Sequence, residues 1–268
     1  MCCRLRREIS DFWGATLALV ADRIKVSAVS YVNSYPFIFG LRNHPVNELM
    51  ELQLDTPADC AAKLLKGEVD LGLVPVAVIP KLSDPHIITD ACIGADGEVD
   101  TVCLFSDVPL AEIEEVLLDY QSQTSVQLVQ LLAKEHWNIT PKWTAGERDF
   151  MDHIGETTAG VVIGDRAFGL AEKFPVVIDL SEQWKANTGL PFVFACWVSN
   201  KRLDDEFIKS FRDAIDFGLA NKRKAVESMA EKDAELLVQY VEKKISYHLD
   251  DKKRQAMKLF TDWLSKSV

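Results

Sequence analysis

The sequence predicts a two-lobed α/β protein with mixed, mostly parallel sheets and a helical C-terminus. Short apolar runs recur along the chain, and most are followed by a segment with helical spacing, an order typical of parallel sheets. After residue 201 the pattern is helical only. The chain has 268 residues, of which 48% are hydrophobic, so it can bury a substantial core in one large domain or two lobes.

The predicted strands are the β-rich or apolar runs between turn signals. They cover 24–30, 50–55, 71–76, 87–95, 99–106, 116–118, 159–163, 176–180 and 190–199. The dipeptide Asp96-Gly97 lies between the fourth and fifth runs and favours a tight hairpin.

Capping residues mark the predicted helices between the strands. Thr56 is the expected N-cap of a helix that ends at Gly67, and Ser181 is the expected cap of a helix that contains Trp184 and ends at Gly189. Another helix follows the polar turn at 122–125. Amphipathic spacing predicts C-terminal helices near 204–219, 234–245 and 250–264.

The two lobes require the chain to pass between them twice. We expect these crossings near Ser106 and near 195–201. The first lobe would then contain 23–106 and 197–268, the second would contain 107–196, and the ligand cleft would lie between them.

Charge and composition exclude several partner classes. The chain has 30 Lys and Arg against 41 Asp and Glu, and the net charge of −11 argues against nucleic acid or an anionic membrane as a partner. The six cysteines and five histidines show no zinc spacing, so we expect no metal site and reduced thiols. Oligomeric state is left open.

The first 22 residues faintly resemble a signal peptide, because three arginines precede a short apolar run. Glu8, Asp11 and Trp13 interrupt that run, and no small-residue cleavage site follows it. We therefore expect a poorly ordered extension or a product of an upstream start codon, on a cytoplasmic protein. No other stretch has the length and apolarity of a membrane span.

The candidate site lies in four turns rich in small polar residues, at 30–34, 96–101, 121–125 and 188–191. Parallel sheets bind ligands at the carboxyl ends of their strands. Hydroxyls, amides and the free N–H groups of a helix N-terminus can hold a carboxylate without lysine or arginine. Ser122, Thr124 and Ser125 either donate to such a ligand or cap their own helix, and residue type leaves both roles open.

Five segments, in this order, resemble the menaquinone-pathway chorismate dehydratases. They are VSYVNSYP at 29–36, GADG at 94–97 leading to Thr101, SQTSV at 122–126, IGD at 163–165, and Trp184 with TGLPFVFACW at 188–197. The resemblance implies a periplasmic-binding-protein-like fold of type II. It also implies a lyase that removes water from chorismate and gives 3-[(1-carboxyvinyl)oxy]benzoate, with no cofactor.

Within this resemblance, Asn33 and Thr101 are the expected catalytic residues. The amide of Asn33 could donate to a substrate oxygen, although an asparagine before a proline also forms turns. Thr101 could donate to the leaving oxygen or orient a carboxylate, or it could simply fill a strand. The expected substrate-binding residues are Ser30, Tyr31, Ser122, Gln123, Thr124, Ser125, Gly164, Asp165, Thr188, Gly189, Leu190 and Pro191.

Two of these positions carry specific questions. Some relatives have arginine at the position of Gln123, so this chain relies more on backbone N–H groups and on Thr124 and Ser125. Asp165 either transfers a proton or caps a helix that begins near Arg166.

No histidine or glutamate in the matched turns stands out as a general base. We therefore hypothesise that the enolpyruvyl carboxylate of the substrate itself takes the ring proton. Competing interpretations are the sister enzyme that forms 1,4-dihydroxy-6-naphthoate, a solute-binding protein of a transporter, and a ligand-sensing module.

Overall fold

The computed structural model describes residues 23–266, so the extension expected over 1–22 lies outside the described residues. Within that range two five-stranded sheets form. The first contains β1 (Ile24–Val29), β2 (Met50–Asp55), β3 (Leu71–Pro75), β4 (His86–Ala95) and β10 (Phe192–Ser199). The second contains β5 (Val102–Ser106), β6 (Glu115–Leu118), β7 (Lys142–Ala145), β8 (Thr158–Ile163) and β9 (Val176–Asp179).

Both sheets combine parallel and antiparallel pairs. The order of the first is β2-β1-β3-β10-β4, in which β1 is parallel to β2 and β3, whereas β10 is antiparallel to β3 and β4. The order of the second is β7-β6-β8-β5-β9, in which β6 is parallel to β7 and β8, and β5 is antiparallel to β8 and β9. The predicted mixed α/β architecture is confirmed.

Helices cover the sheets and form the C-terminus. They are α1 (Tyr35–Arg42), α2 (Pro57–Lys66), α3 (Thr124–Leu132), α4 (Leu180–Thr188), α5 (Asp205–Ala220), α6 (Lys222–Met229), α7 (Ala234–Lys243) and α8 (Asp251–Lys266). The capping signals placed α2 correctly, because the Thr56 hydroxyl accepts from the Asp59 N–H and Gly67 ends the helix with positive φ. In the described chain, no helix combines the length and apolarity needed to cross a membrane.

The expected hairpin at Asp96-Gly97 is wrong. The strands on either side of it, β4 and β5, belong to different sheets, so this segment carries the chain from one lobe to the other. Gly97 at φ +118° and Asp100 at φ +64° turn the backbone there. The local turn preference was real, but strand pairing with β10 and β8 decided where each strand lies.

Strand pairing also moves the expected lobe boundaries. The residues of β5 were expected in the first lobe, but they pair with β8 and β9 of the second sheet. Conversely, the whole of β10 pairs within the first sheet, although its first residues were expected in the second lobe. The crossings therefore fall at 96–101 and at 189–191.

The cap of α4 is Asp179 rather than the expected Ser181. One carboxylate oxygen of Asp179 accepts the N–H groups of Ser181 and Glu182 at 2.9 and 3.0 Å. Its other oxygen accepts the N–H groups of Val99 and Asp100, both at 2.8 Å. One carboxylate thus holds the start of α4 and the first crossing together, next to Thr101.

The core is continuous from the first sheet into the second. The fully buried Trp184 of α4 packs edge-on against Phe192 of β10 and Phe260 of α8, with ring centroids 5.2 and 6.1 Å apart. Apolar packing therefore joins the lobes on the side of the second crossing. The two crossings are neighbours, because Ala95 before the first pairs with Phe192 after the second. The cleft is lined by residues that follow β1 and β3 and by residues of the first crossing.

Candidate functional site

A cleft between the two sheets encloses about 530 Å³, including the part open to solvent. Three of the four predicted polar turns contribute to its wall. The predicted residues that line it are Tyr31, Asn33, Thr101, Ser122, Thr124, Ser125 and Gly164. None of the described residues in the lining carries a formal charge, so a bound anion would meet neutral donors.

The rest of the lining is apolar, and the sequence did not single it out. Strand periodicity predicts which residues are apolar, but it does not tell which of them face a cleft rather than the core. These residues are Val29, Pro57, Pro75, Ile93, Val99, Val102, Ile163, Phe194 and Ala195. The cleft therefore presents an apolar wall to a ring and polar groups to substituents at its rim.

Asn33 lies in a short 3₁₀ helix, Val32–Ser34, directly after β1. The buried Ser34 hydroxyl donates to Asn33 Oδ1 at 3.1 Å, and the Tyr247 hydroxyl donates to the Asn33 carbonyl at 2.8 Å. Both the side chain and the backbone of this asparagine are thereby fixed. The Nδ2 end of the amide is left to face other partners.

Thr101 ends the first crossing and is 1% exposed. Its hydroxyl lies 2.6 Å from the Tyr240 hydroxyl of α7, and either oxygen could be the donor. Its carbonyl accepts the Gly164 N–H at 2.9 Å. Thr101 therefore has partners in both lobes and is not a strand residue that merely fills space.

The Tyr240 phenol is the buried partner of the Thr101 hydroxyl. Burial raises its pKa, whereas hydrogen bonding by the side chains of Thr101 and Asn33 acts in the opposite direction. Sequence patterns do not single out Tyr240, because it lies on a C-terminal helix more than a hundred residues from Thr101. Its only sequence signal is a tyrosine on the apolar face of an amphipathic helix, which also describes an ordinary core residue.

In the turn before α3, the side-chain hydroxyls of Ser122 and Thr124 bond to other groups of the protein. Ser122 Oγ accepts the Ser125 N–H at 3.0 Å, which is a capping bond. Thr124 Oγ1 accepts the Ala77 N–H at 3.3 Å and donates to the Phe194 carbonyl at 3.2 Å, and both partners belong to the first lobe.

Gln123 stands at the N-cap position of α3, makes no side-chain capping bond and does not line the cleft. Its contact with substrate stays a prediction.

Tyr31 and Gly164 bring the lobes into direct contact at the cleft. Gly164 has φ +66°, and a Cβ there would lie 2.5 Å from the Tyr31 ring, so only glycine allows this approach. The Tyr31 hydroxyl also donates to Gln121 Oε1. Burial raises the pKa of Tyr31, which therefore remains a neutral donor.

Asp165 bonds across the cleft rather than capping the helix that follows it. Its two carboxylate oxygens lie 3.1 and 3.2 Å from the Val32 N–H, at the start of the 3₁₀ helix that contains Asn33. The capping role expected for it near Arg166 is wrong, because no side chain caps that short helix. Burial raises the pKa of Asp165 to about 6. Asp165 does not line the cleft, and a proton-transfer role stays a prediction.

Arg166, the residue after Asp165, places a positive charge behind the contact between Asp165 and Val32. One amino group of Arg166 is 2.7 and 2.5 Å from the carboxylate oxygens of the buried Asp119, and the guanidinium stacks 5.3 Å above the Tyr120 ring. Since Asp119 compensates its charge, Arg166 acts on the cleft mainly through Tyr31, whose pKa it lowers against the effect of burial.

Besides Gln123 and Asp165, five further expected binding residues lie outside the cleft lining. Ser30 is exposed, and its N–H bonds to the Asp55 carbonyl at 3.0 Å. The Thr188 hydroxyl donates to the Trp184 carbonyl at 2.8 Å and accepts the Leu190 N–H at 3.2 Å. The turn formed by Thr188, Gly189, Leu190 and Pro191 thus ends α4 and makes the second crossing. Their contact with a ligand stays a prediction.

No group of three or more His, Cys, Asp or Glu side chains that could hold a metal ion occurs within residues 23–266. The side chains around the cleft are instead suited to hydrogen bonding and to close packing of a ring.

Two mixed sheets, two crossings and a cleft between the sheets define the periplasmic-binding-protein-like class. Solved structures share this fold. A protein from Archaeoglobus fulgidus matches with a TM-score of 0.74 and 14% identity over 92% of this chain and 98% of that one. The periplasmic aliphatic sulphonate binding protein SsuA from Escherichia coli matches with a TM-score of 0.57 and 12% identity over 91% and 92% of the two chains.

The chain belongs to the menaquinone biosynthesis family, whose profile matches residues 24–266. A curated relative, the chorismate dehydratase of Thermus thermophilus, is 28% identical over 260 residues, which cover 85% of this chain and 95% of the relative. The expected family and fold are thereby confirmed.

Proposed function

We propose that this protein is a lyase that dehydrates chorismate to 3-[(1-carboxyvinyl)oxy]benzoate in menaquinone biosynthesis. Family membership and the similarity to a chorismate dehydratase support this proposal. The observation that carries it is the meeting of Asn33 and Thr101 in the wall of one cleft, where the Thr101 hydroxyl lies 2.6 Å from the buried Tyr240 hydroxyl.

The reaction removes a ring hydroxyl and a ring proton, which leave together as one water molecule. Because the ring becomes aromatic, the driving force lies in the substrate, and the step requires no redox cofactor. The protein's task is to hold a dianion in a reactive geometry, exclude water and stabilise the departing oxygen. A cleft with an apolar wall and neutral donors matches that task.

Asn33 and Thr101 would act on the oxygen atoms of the substrate. The Thr101 hydroxyl can donate to the departing ring oxygen, and the Asn33 amide can donate to a carboxylate or to the same oxygen. Both groups are held by neighbours before substrate binds, which limits reorganisation during the reaction.

The substrate's own enolpyruvyl carboxylate would accept the ring proton and pass it to the departing hydroxide, so that one water molecule leaves and the carboxylate is restored. Asp165 is the carboxyl group that competes for this role, but both of its oxygens face the Val32 N–H, outside the cleft lining. We therefore assign Asp165 to the contact between the lobes. A chorismate analogue without the enolpyruvyl carboxylate should bind and hardly react, and rapid turnover of that analogue would contradict this assignment.

The test is to incubate purified protein with chorismate and to follow the ultraviolet spectrum and the product mass. Loss of the mass of one water molecule, with appearance of an aromatic product, supports the proposal. A solute-binding protein would leave chorismate intact beyond its spontaneous decay, and the sister 1,4-dihydroxy-6-naphthoate synthase would not consume it. A biosynthetic enzyme of this kind would work in the cytoplasm, with chorismate as its small-molecule partner.

A further inference from the structure

Tyr247 is a buried residue that reaches the candidate site from the C-terminal part of the chain. It lies between α7 and α8, is 6% exposed and packs edge-on against Phe37 of α1, with ring centroids 5.4 Å apart. Its hydroxyl donates to the Asn33 carbonyl at 2.8 Å, and a carbonyl oxygen can only accept, so the direction of this bond is fixed. Tyr247 does not line the cleft, so any effect on a bound substrate passes through Asn33.

The peptide unit between Asn33 and Ser34 is held at both of its polar atoms. Its carbonyl accepts from Tyr247, and its N–H, which belongs to Ser34, donates to the Tyr31 carbonyl at 2.9 Å. The Ser34 hydroxyl in turn donates to Asn33 Oδ1 at 3.1 Å. Tyr31 is a near neighbour in the chain, whereas Tyr247 is 214 positions from Asn33. The tilt of this peptide unit, and with it the direction of the Asn33 amide, therefore depends on Tyr247.

The backbone around Tyr247 is attached to β4 of the first sheet. The Ser246 N–H donates to the Gly94 carbonyl, and the Tyr247 carbonyl accepts the Cys92 N–H, both at 2.8 Å. The phenol therefore extends from backbone that continues the sheet and not from a free loop.

A buried cation holds the same backbone from the other side. Lys253 of α8 is 2% exposed, and its Nζ donates to the Ser246 hydroxyl and to the His248 carbonyl, both at 2.7 Å. These two residues stand on either side of Tyr247. The segment that carries the phenol is thus anchored to the sheet and to α8, which a positioning role requires.

We infer that Tyr247 is a positioning residue that holds the Asn33 peptide unit, so that the Asn33 amide points at the reacting oxygen atoms of the substrate. This inference rests on the proposed function, in which Asn33 donates to those oxygen atoms. A donor that is aimed before the reaction lowers the barrier more than one that must reorient during it. Tyr247 itself exchanges no proton with the substrate.

The first test is Tyr247→Phe, which keeps the ring and its contact with Phe37 but removes the hydroxyl. We expect kcat to fall about tenfold with KM within about twofold of wild type, because the loss falls on the transition state. Ser199→Ala is the matched control. It removes another buried hydroxyl of the first lobe, which donates to the Asp70 carbonyl at 2.8 Å at the opposite end of the sheet. Both variants should lower the urea midpoint, but Ser199→Ala should keep the wild-type kcat.

A double-mutant cycle separates positioning from a general effect on the fold. Asn33→Ala keeps the backbone carbonyl that Tyr247 contacts but removes the amide that it aims. Adding Tyr247→Phe to Asn33→Ala should therefore change kcat by less than about twofold. The same tenfold loss in both backgrounds, or a wild-type kcat for Tyr247→Phe alone, would overturn the inference. Failure of the wild-type protein to dehydrate chorismate would instead overturn the proposed function.

A pair of shape-matched replacements does not depend on how well the phenylalanine variant folds. At position 247, 4-fluorophenylalanine fills the place of the hydroxyl without a hydrogen to donate, whereas 4-aminophenylalanine restores an N–H donor there. We expect the fluoro variant to be about tenfold slower than wild type and the amino variant to lie within about threefold of it. Equal kcat values for the two replacements would contradict a role for donation to Asn33.

Discussion

The two polar sides of the cleft use the same kinds of residues differently. On the side of β1 and the first crossing, the Asn33 amide accepts from Ser34, the Thr101 hydroxyl bonds to the Tyr240 hydroxyl, and both Asn33 and Thr101 line the cleft. On the side of α3, Ser122 bonds to its own helix, and Thr124 bonds to the facing lobe.

This difference shows that a hydroxyl in the wall of a cleft need not bind the ligand. A chain of side chains that ends in the cleft leaves a donor for a substrate, whereas a hydroxyl bonded to backbone groups holds the protein together. The first side is therefore expected to control turnover, and the second side is expected to control stability and the contact between lobes.

Replacing Asn33 by alanine should have the largest effect on kcat. A small effect would contradict the expected difference between the two sides of the cleft. We expect kcat to fall about a hundredfold, because a donor to the reacting groups that Ser34 holds in place is lost. Asn43→Ala is the matched control, since Asn43 Nδ2 donates to the Phe39 carbonyl at 2.8 Å in the same lobe, away from the cleft. Equal rates for both variants would remove Asn33 from the mechanism.

Thr124→Val should act on stability rather than on turnover. The variant keeps the volume but leaves the buried Ala77 N–H and the Phe194 carbonyl without this partner. We expect the free energy of unfolding in urea to fall by about 1–3 kcal/mol, with kcat within about threefold of wild type. A large loss of kcat at unchanged stability would place Thr124 among the substrate donors.

Asp165→Asn should change how stability depends on pH. Burial raises the pKa of Asp165 from 3.8 to about 6, so the folded protein binds this proton more tightly than the unfolded chain does. Its stabilising contribution is complete below pH 3.8 and is lost as the pH rises through 6. Asparagine has no such proton and still accepts from Val32.

Between about pH 5 and pH 7.5, we therefore expect the wild type to lose about 1.5 kcal/mol of unfolding free energy relative to Asp165→Asn. Urea denaturation of both proteins at the two pH values measures this difference. A constant difference would mean that Asp165 does not titrate in this range.

Ser122→Ala should have the smallest effect and decides between the two roles left open for this turn. If the hydroxyl only caps α3, the free energy of unfolding falls by about 0.5–1 kcal/mol and KM for chorismate is unchanged. A tenfold rise in KM would instead identify Ser122 as a donor to a substrate carboxylate.

Local sequence signals predicted the cleft more fully than they predicted the lobes. Asn33, Thr101 and Thr124 come from three separate turns and line one cleft, because each turn lies at an end of a strand or helix that faces the opposite lobe. The expected hairpin at Asp96-Gly97 was wrong because a turn preference says nothing about which sheet the next strand joins.

The short strand β7 was also missed. It has four residues at the edge of the second sheet, and none of them is buried, so its alternation is too weak to be seen in the sequence. Its pairing with β6, rather than its composition, makes it a strand.

By itself, the sequence determined the α/β class, the positions of most strands and helices, the family resemblance and the polar turns. These features depend on residue type and on spacing over a few positions. Only the tertiary structure decided which lobe each strand joins, that Asp165 bonds to Val32, and that the Tyr240 hydroxyl bonds to the Thr101 hydroxyl. Those contacts connect residues more than a hundred positions apart, and the geometry of the folded chain alone brings them within hydrogen-bonding distance.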